Sequence, residues 1–142
     1  MAKKGAVIQK LVPDTSVLIE GLVSANIAKQ VFLPKHIIIH EAVLSELEHQ
    51  ANQNRETGFL GIEEIKRLRE LAKKSKFIIT YGGTKPDLSE IRMAKSGWID
   101  AIIRDLAAKE KATLFTADKV QAQVAEAKGI PVILAEFEAA KQ

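Results

Sequence analysis

Cysteine is absent from the 142 residues. Its absence excludes thiolate nucleophiles, thiolate-ligated zinc and any disulfide scaffold, and it suits a reducing, cytoplasmic setting. No apolar run approaches the ~20 residues of a membrane-spanning helix, so no membrane association is expected. The stretch behind the basic start Met1-Ala2-Lys3-Lys4-Gly5 is interrupted by Gln9, Lys10 and Asp14, which makes a poor signal peptide. There is no internal repeat and no low-complexity tract. Gly-x-x-x-x-Gly-Lys-Ser/Thr is missing, and so is Gly-x-Ser-x-Gly. These two gaps remove P-loop nucleotidases and the commonest esterase arrangement.

What is present suits one globular domain over residues 1–142, with 46% hydrophobic and 27% charged residues. A chain of this length buries roughly 68–70% of its unfolded surface and needs no covalent or metal staple. The net charge of +3 permits nucleic acid as a partner without demanding it. Lys66, Arg67, Arg69, Lys73, Lys74 and Lys76 form a basic block opposed within it only by Glu70. Such a block is either the wet side of an amphipathic helix or a phosphate-contacting surface.

Short apolar strands alternate with amphipathic helices, the pattern of an α/β domain built on a mainly parallel sheet of about five strands. Strands are expected to end near Leu11-Val12-Pro13 and to cover Ile37–Ile39, Phe77–Ile79, Thr113–Phe115 and Pro131–Leu134. Helices are expected over Val17–Ser24, Glu41–Asn52, Gly61–Lys74, Trp98–Lys111 and Lys119–Lys128, the last closed by Gly129. Tyr81-Gly82-Gly83-Thr84-Lys85-Pro86 reads as a loop, and Asp87 with Glu90 as a capping box opening a short helix that Gly97 ends. Residues 136–142 read as a short helix or a tail.

Ligands of open α/β sheets collect outside the carboxyl ends of the strands. Asp14-Thr15-Ser16 follows the first strand and Thr116-Ala117-Asp118 the fourth, so both acids face the same end. Asp100 shares its helical direction with Ile103 and Ala107, and Glu46 flanks a stripe marked by Leu44 and Leu47. A carboxylate on an apolar face needs a cation or hydrogen bonds to keep its charge. A divalent cation would relieve acids that converge there, and all-oxygen ligands favour magnesium or manganese over zinc. Each acid also has an ordinary reading. Asp14 and Asp118 are good helix caps, a helix amino terminus can hold Asp100, and Glu46 can be solvated. His36, His40 and His49 read as surface or loop residues.

The four segments Asp14-Thr15-Ser16, Val43-Leu44-Ser45-Glu46-Leu47, Asp100-Ala101-Ile102-Ile103 and Leu114-Phe115-Thr116-Ala117-Asp118 together resemble a PIN domain over essentially the whole chain. The stretch from Glu46 through Gly58-Phe59-Leu60-Gly61 to Lys66-Arg67-Leu68-Arg69 looks most like the PIN module of archaeal PIN–ATPase–KH proteins. Pro13 stands where many members carry another residue. The resemblance implies a three-layer α/β/α fold and a metal-dependent endoribonuclease acting mostly on single-stranded RNA. It implies that Asp14, Glu46, Asp100 and Asp118 hold Mg2+ or Mn2+, that Ser16 and Thr116 orient them, and that products carry a 5′-phosphate and a 3′-hydroxyl. Lys66, Arg67, Arg69, Lys73 and Lys85 are then the candidate RNA contacts. A homodimer, further domains or a partner protein are compatible with it. Two rival readings keep the fold: a non-catalytic RNA-binding or assembly module, and the toxin of a toxin–antitoxin pair.

Overall fold

Ile37, Ile38 and Ile39 are all buried although successive strand residues point to opposite faces. The sheet that carries them is therefore covered on both sides, as parallel sheets require. The computed structural model describes residues 5–93 and 97–135. In chain order the elements are β1 (Ala6–Ile8), β2 (Leu11–Pro13), α1 (Thr15–Ile19), α2 (Leu22–Ala28), β3 (Phe32–Pro34), β4 (His36–His40), α3 (Glu41–Asn52) and α4 (Glu56–Ser75). Then follow β5 (Ile78–Gly82), α5 (Leu88–Met93), α6 (Trp98–Glu110), β6 (Thr113–Thr116), α7 (Lys119–Ala127) and β7 (Val132–Leu134). The main sheet has five parallel strands in the order β5-β4-β2-β6-β7, and β1 and β3 form a separate parallel ribbon. From β2 the chain winds outward through β4 to β5, then returns to β2's other side with β6 and β7. The reversal of direction falls between β2 and β6, where a crevice opens at the carboxyl ends of an α/β sheet.

The α/β class and the parallel five-stranded sheet agree with the sequence, and several local readings need correction. The first apolar run is two strands, because the chain leaves the ribbon at Gln9 and Lys10 before β2 enters the main sheet. The ribbon partner β3 was not anticipated. The helix expected over Val17–Ser24 is two helices. Gly21 lies between them at φ 70°, a conformation glycine tolerates and most residues do not. Finally, Tyr81 and Gly82 belong to β5 rather than to a loop, because β5 stays in register with β4 as far as His40↔Gly82. The Asp87–Glu90 capping box forms as expected: Glu90 N donates to Asp87 Oδ1 and Asp87 N to Glu90 Oε1. Gly129, at φ 79°, follows α7 as expected. The tail reading at 136–142 lies outside the described residues.

One buried carboxylate that the sequence does not single out fixes the helical layer over α4. Gly21 has no side chain to cap α2, and the fully buried Glu64 of α4 does so instead. Its Oε2 accepts from Ser24 N and its Oε1 from Ser24 Oγ, both at 2.7 Å, while Arg67 pairs with the same carboxylate. Helix α4 also starts five residues before the expected Gly61, since Gly58 and Gly61 form its face against α3. A Cβ at Gly58 would stand 2.5 Å from the Leu47 carbonyl oxygen and against the Ala51 backbone, whereas one at Gly61 would meet only the Leu47 side chain. Alanine is the better helix former by about 1 kcal/mol, but backbone against backbone cannot yield. Gly58→Ala is expected to destabilise the fold by about 1–3 kcal/mol in urea denaturation, and Gly61→Ala by less. A Gly58→Ala protein as stable as the parent would refute this close approach.

Candidate metal centre

Strand β2 is buried along its whole length and runs directly into Asp14, which is only 2% exposed. The Asp14 amide extends the β2–β6 ladder by donating to Phe115 O at 2.8 Å. Its backbone then turns out as the cap of α1, with Oδ1 accepting from Thr15 N at 2.8 Å. Thr116 Oγ1 donates to Oδ2 at 2.6 Å, joining the ends of two neighbouring strands. The same threonine oxygen accepts from Asp118 N at 3.0 Å, so its proton is committed to Asp14. Ser16 Oγ lies 3.4 Å from Asp14 Oδ2 and accepts from Ala117 N at 3.0 Å. Asp118 Oδ1 caps α7 through Val120 N and Gln121 N. The capping readings of Asp14 and Asp118 and their placement at the strand ends are thus both realised.

Burial pushes the Asp14 carboxyl up from an ordinary 3.8 to about 6. Repulsion from Asp100 and Asp118 adds to the rise, against the hydrogen bonds from Thr116 and Thr15. Burial also raises Asp100, with Asp118 adding to the effect and Arg104 opposing it. Three of the four predicted acids therefore share one electrostatic environment at the reversal point of the sheet. Glu46 stands outside it: the half-buried carboxylate accepts from Gln50 Nε2 at 2.8 Å and is not among the charges acting on Asp14 or Asp100.

Arg104 escaped the sequence reading, whereas Gln121 reads in the sequence as the capping-box partner of Asp118. Arg104, one turn beyond Asp100 on α6, donates to Gln121 Oε1 at 2.6 Å, and Gln121 Nε2 donates to the Asp100 carbonyl at 3.1 Å. Gln121 is 1% exposed and ties the start of α6 to the start of α7. It is more than the capping partner of Asp118, and the signal for Arg104 was its i+4 spacing from an acid.

The oxygen-only chemistry of this set, two aspartates lifted by burial and two hydroxyls beside them, fits a hard divalent cation. Among the described residues no three Asp, Glu, His or Cys side chains are gathered closely enough to close on one ion. Magnesium tolerates such a site, since it keeps several waters and uses one or two carboxylates rather than a full protein cage. The histidines take no part. His40 is not a surface residue as expected: it is buried and caps α3, its Nδ1 accepting from Ala42 N at 2.9 Å. His36 Nε2 bonds Thr80 Oγ1 at 2.7 Å.

A PIN domain model matches residues 11–127, which include every acid named above. The chain belongs to the PIN domain family. PIN domains are typically nucleases and generally use divalent metals. The chain is 43% identical over 122 residues to an uncharacterized KH and PIN-domain containing protein of Methanocaldococcus jannaschii, covering 86% of this chain and 19% of that one. It is 27% identical over 126 residues to the Holliday junction branch migration ATPase PINA of Sulfolobus acidocaldarius, covering 87% of this chain and 22% of the relative. The chain thus spans about one fifth of the length of these curated relatives. A solved domain of a functionally unknown M. jannaschii protein superimposes with a TM-score of 0.86 at 42% identity, covering 91% of this chain and 92% of that one.

The basic block sits on α4 and is partly committed. Lys66 pairs with Glu63, Lys73 with Glu70 and Arg67 with the buried Glu64, while Arg69 and Lys85 are exposed. Among the described residues no helix is long and apolar enough to cross a membrane.

The Asp14 shift gives stability a pH dependence of known sign. In EDTA the folded chain keeps the Asp14 proton up to about pH 6, whereas the unfolded chain loses it near 3.8. The folded state therefore binds more protons in that window, and stability falls as pH rises through it, by on the order of 3 kcal/mol. Asp14→Asn removes this loss. Its melting temperature is expected to exceed the parent's at pH 7.5 and to converge with it near pH 4. A difference that does not change with pH would contradict the burial argument.

Proposed function

We propose that this PIN domain is a divalent-metal-dependent endoribonuclease that hydrolyses single-stranded RNA in the cytoplasm. The observation that carries this reading is the buried Asp14 carboxylate, raised to about 6 with two further carboxylates acting on it, at the reversal point of the sheet. Asp14, Asp100 and Asp118 are the ligands, and Mg2+ or Mn2+ the cation. Glu46 on α3 is bonded to Gln50 and completes the proposed set only by turning from that partner. When bound, such a cation lowers the pKa of a water and offsets charge on the scissile phosphate. The chain's own work is positional. Thr116 and Thr15 hold Asp14 by both oxygens, and Ser16 links Asp14 to the backbone at Ala117. The α7 cap fixes one Asp118 oxygen and leaves the other free. Gln121 holds the first turn of α6, and with it Asp100, against α7. Lys66, Arg69, Lys73 and Lys85 supply phosphate contacts, while Arg67 serves Glu64 first.

A second reading has its own support. Glu46 stands apart from the other acids, no three acids close on one ion among the described residues, and the chain matches only about a fifth of much longer relatives. A non-catalytic module serving a larger protein would look the same. The KH region named in one relative favours RNA as the partner of such a module, and the junction ATPase named in the other keeps DNA in view. Nothing in the geometry singles out a toxin or a homodimer.

Cleavage of end-labelled single-stranded RNA decides between them. Activity is expected with Mn2+, is abolished by EDTA, and falls on the order of a hundredfold or more in Asp100→Asn, as loss of a charge-stabilising group does. RNA bound but uncut in Mn2+, with affinity indifferent to EDTA, would establish the second reading. Unchanged cleavage by Asp100→Asn would sink the first.

A further inference from the structure

Helix α6 carries two chemical faces. Asp100, Ile103, Arg104 and Ala107 lie on the side of the carboxylates, while Trp98, Ile102, Leu106 and Lys109 recur at helical spacing on another side, where Leu106 is itself buried in the core. That second face lines a cavity of about 280 Å3, closed across from it by His40 and by Gly83 and Pro86 of the loop after β5. The cavity runs along α6, from Trp98 at the carboxyl edge of the sheet to Glu110, which pairs with Lys10 at the entry of β2. β2 and β4 are parallel neighbours, and Asp14 directly follows β2 as His40 ends β4, so both residues lie at the carboxyl edge. The centre lies outside the ends of β2 and β6, and the end of the cavity formed by Trp98, His40 and Gly83 outside the ends of β4 and β5. The amino-terminal turn of α6, which follows Gly97, carries both Trp98 and Asp100.

We infer that this cavity receives a nucleobase of the substrate strand, stacked on Trp98, while the adjoining phosphate lies at the carboxylates. The inference rests on the RNA-directed reading above and names a subsite of it. Size is the first argument: the space falls just below the ~300–1,000 Å3 of drug-sized ligand sites, which suits one planar ring system. Its walls are the second. One side is an indole and the inner surface is Ile102 and Leu106, the aromatic and apolar surroundings in which unstacked bases are held. The rim is the third. Glu90, Asp105 and Glu110, the last also held by Lys10, outnumber Lys109, so a phosphate is repelled while the N–H donors of a base edge find acceptors. His40 adds a donor. Its Nδ1 accepts from Ala42 N, which leaves a ring proton to Nε2, the atom that faces Gly83, and burial holds its pKa below the usual histidine range.

Trp98 is the chain's sole tryptophan and reports its own occupancy. The full chain in EDTA is titrated with a single-stranded RNA decamer and with an abasic ribose-phosphate decamer, following Trp98 fluorescence and, separately, the anisotropy of an end label. The RNA is expected to quench Trp98 saturably at the concentrations that change anisotropy, and the abasic strand to leave it unchanged. Trp98→Ala is expected to weaken RNA binding about tenfold. Trp98→Phe, which keeps a stacking ring, should restore binding to within about threefold, and manganese binding should be unaltered in both. RNA that is bound and cut while Trp98 stays silent overturns the inference and leaves the nuclease standing. Quenching by RNA without cleavage in Mn2+ supports the subsite and sinks the nuclease. Equal quenching by the abasic strand, or no binding of RNA at all, overturns the inference.

Discussion

A carboxylate at the end of a buried strand is the constraint around which the carboxyl edge of this molecule is organised. Asp14 emerges from β2 with almost no access to water, so its charge costs free energy wherever nothing compensates it. The compensation is drawn from across the chain. Thr116 donates from the end of β6, Thr15 from the first turn of α1, and Ser16 bridges to the backbone after Thr116. These bonds hold β2, β6, α1 and α7 in one arrangement, yet they do not neutralise the charge. The carboxyl remains lifted to about 6, with Asp100 and Asp118 working against it. A site under this tension gains from a cation more than a site of solvated acids does, which is the physical link between the PIN fold and divalent-metal chemistry.

The helical layer depends on a second buried carboxylate with the opposite character. Glu64 is as inaccessible as Asp14, but it is fully partnered by Ser24 and Arg67 and substitutes for the cap that Gly21 lacks. Breaking such a pair costs far more than a surface ion pair contributes. Arg67 therefore reads differently in three dimensions than in the sequence, where it is one of a row of cations. The close seating of Gly58 on α3 lies on the same helix as Glu64.

Helix α6 divides the carboxyl edge into an acidic centre on one side and an aromatic-lined cavity on the other. A nuclease without base recognition needs only the first. In the proposed reading, the turn that carries both Trp98 and Asp100 offers a strand one place for its phosphate and another for its base on the same rigid element. The interaction of Gln121 with Asp100 and Arg104 matters for both, because it fixes the amino end of α6 from which each side projects.

The sequence determined the alternation of strands and helices, the parallel sheet and the acids at the strand exits. Those features follow from hydrophobic periodicity and from the rule that ligands collect at carboxyl ends, both of which are local patterns. It determined the Asp87 capping box and the end of α7 for the same reason. Tertiary structure alone decided that Asp14, Asp100 and Asp118 share one field while Glu46 bonds Gln50 instead, because spacing along a helix gives a direction but no distance. It decided that Gly82 lies in a strand, since five ladder partners on β4 outweigh a glycine's local preference. The burial of His40, the capping of α2 by Glu64 and the cavity beside Trp98 likewise depend on which elements meet. Contacts between residues tens of positions apart are set by packing, and no pattern within one segment encodes them.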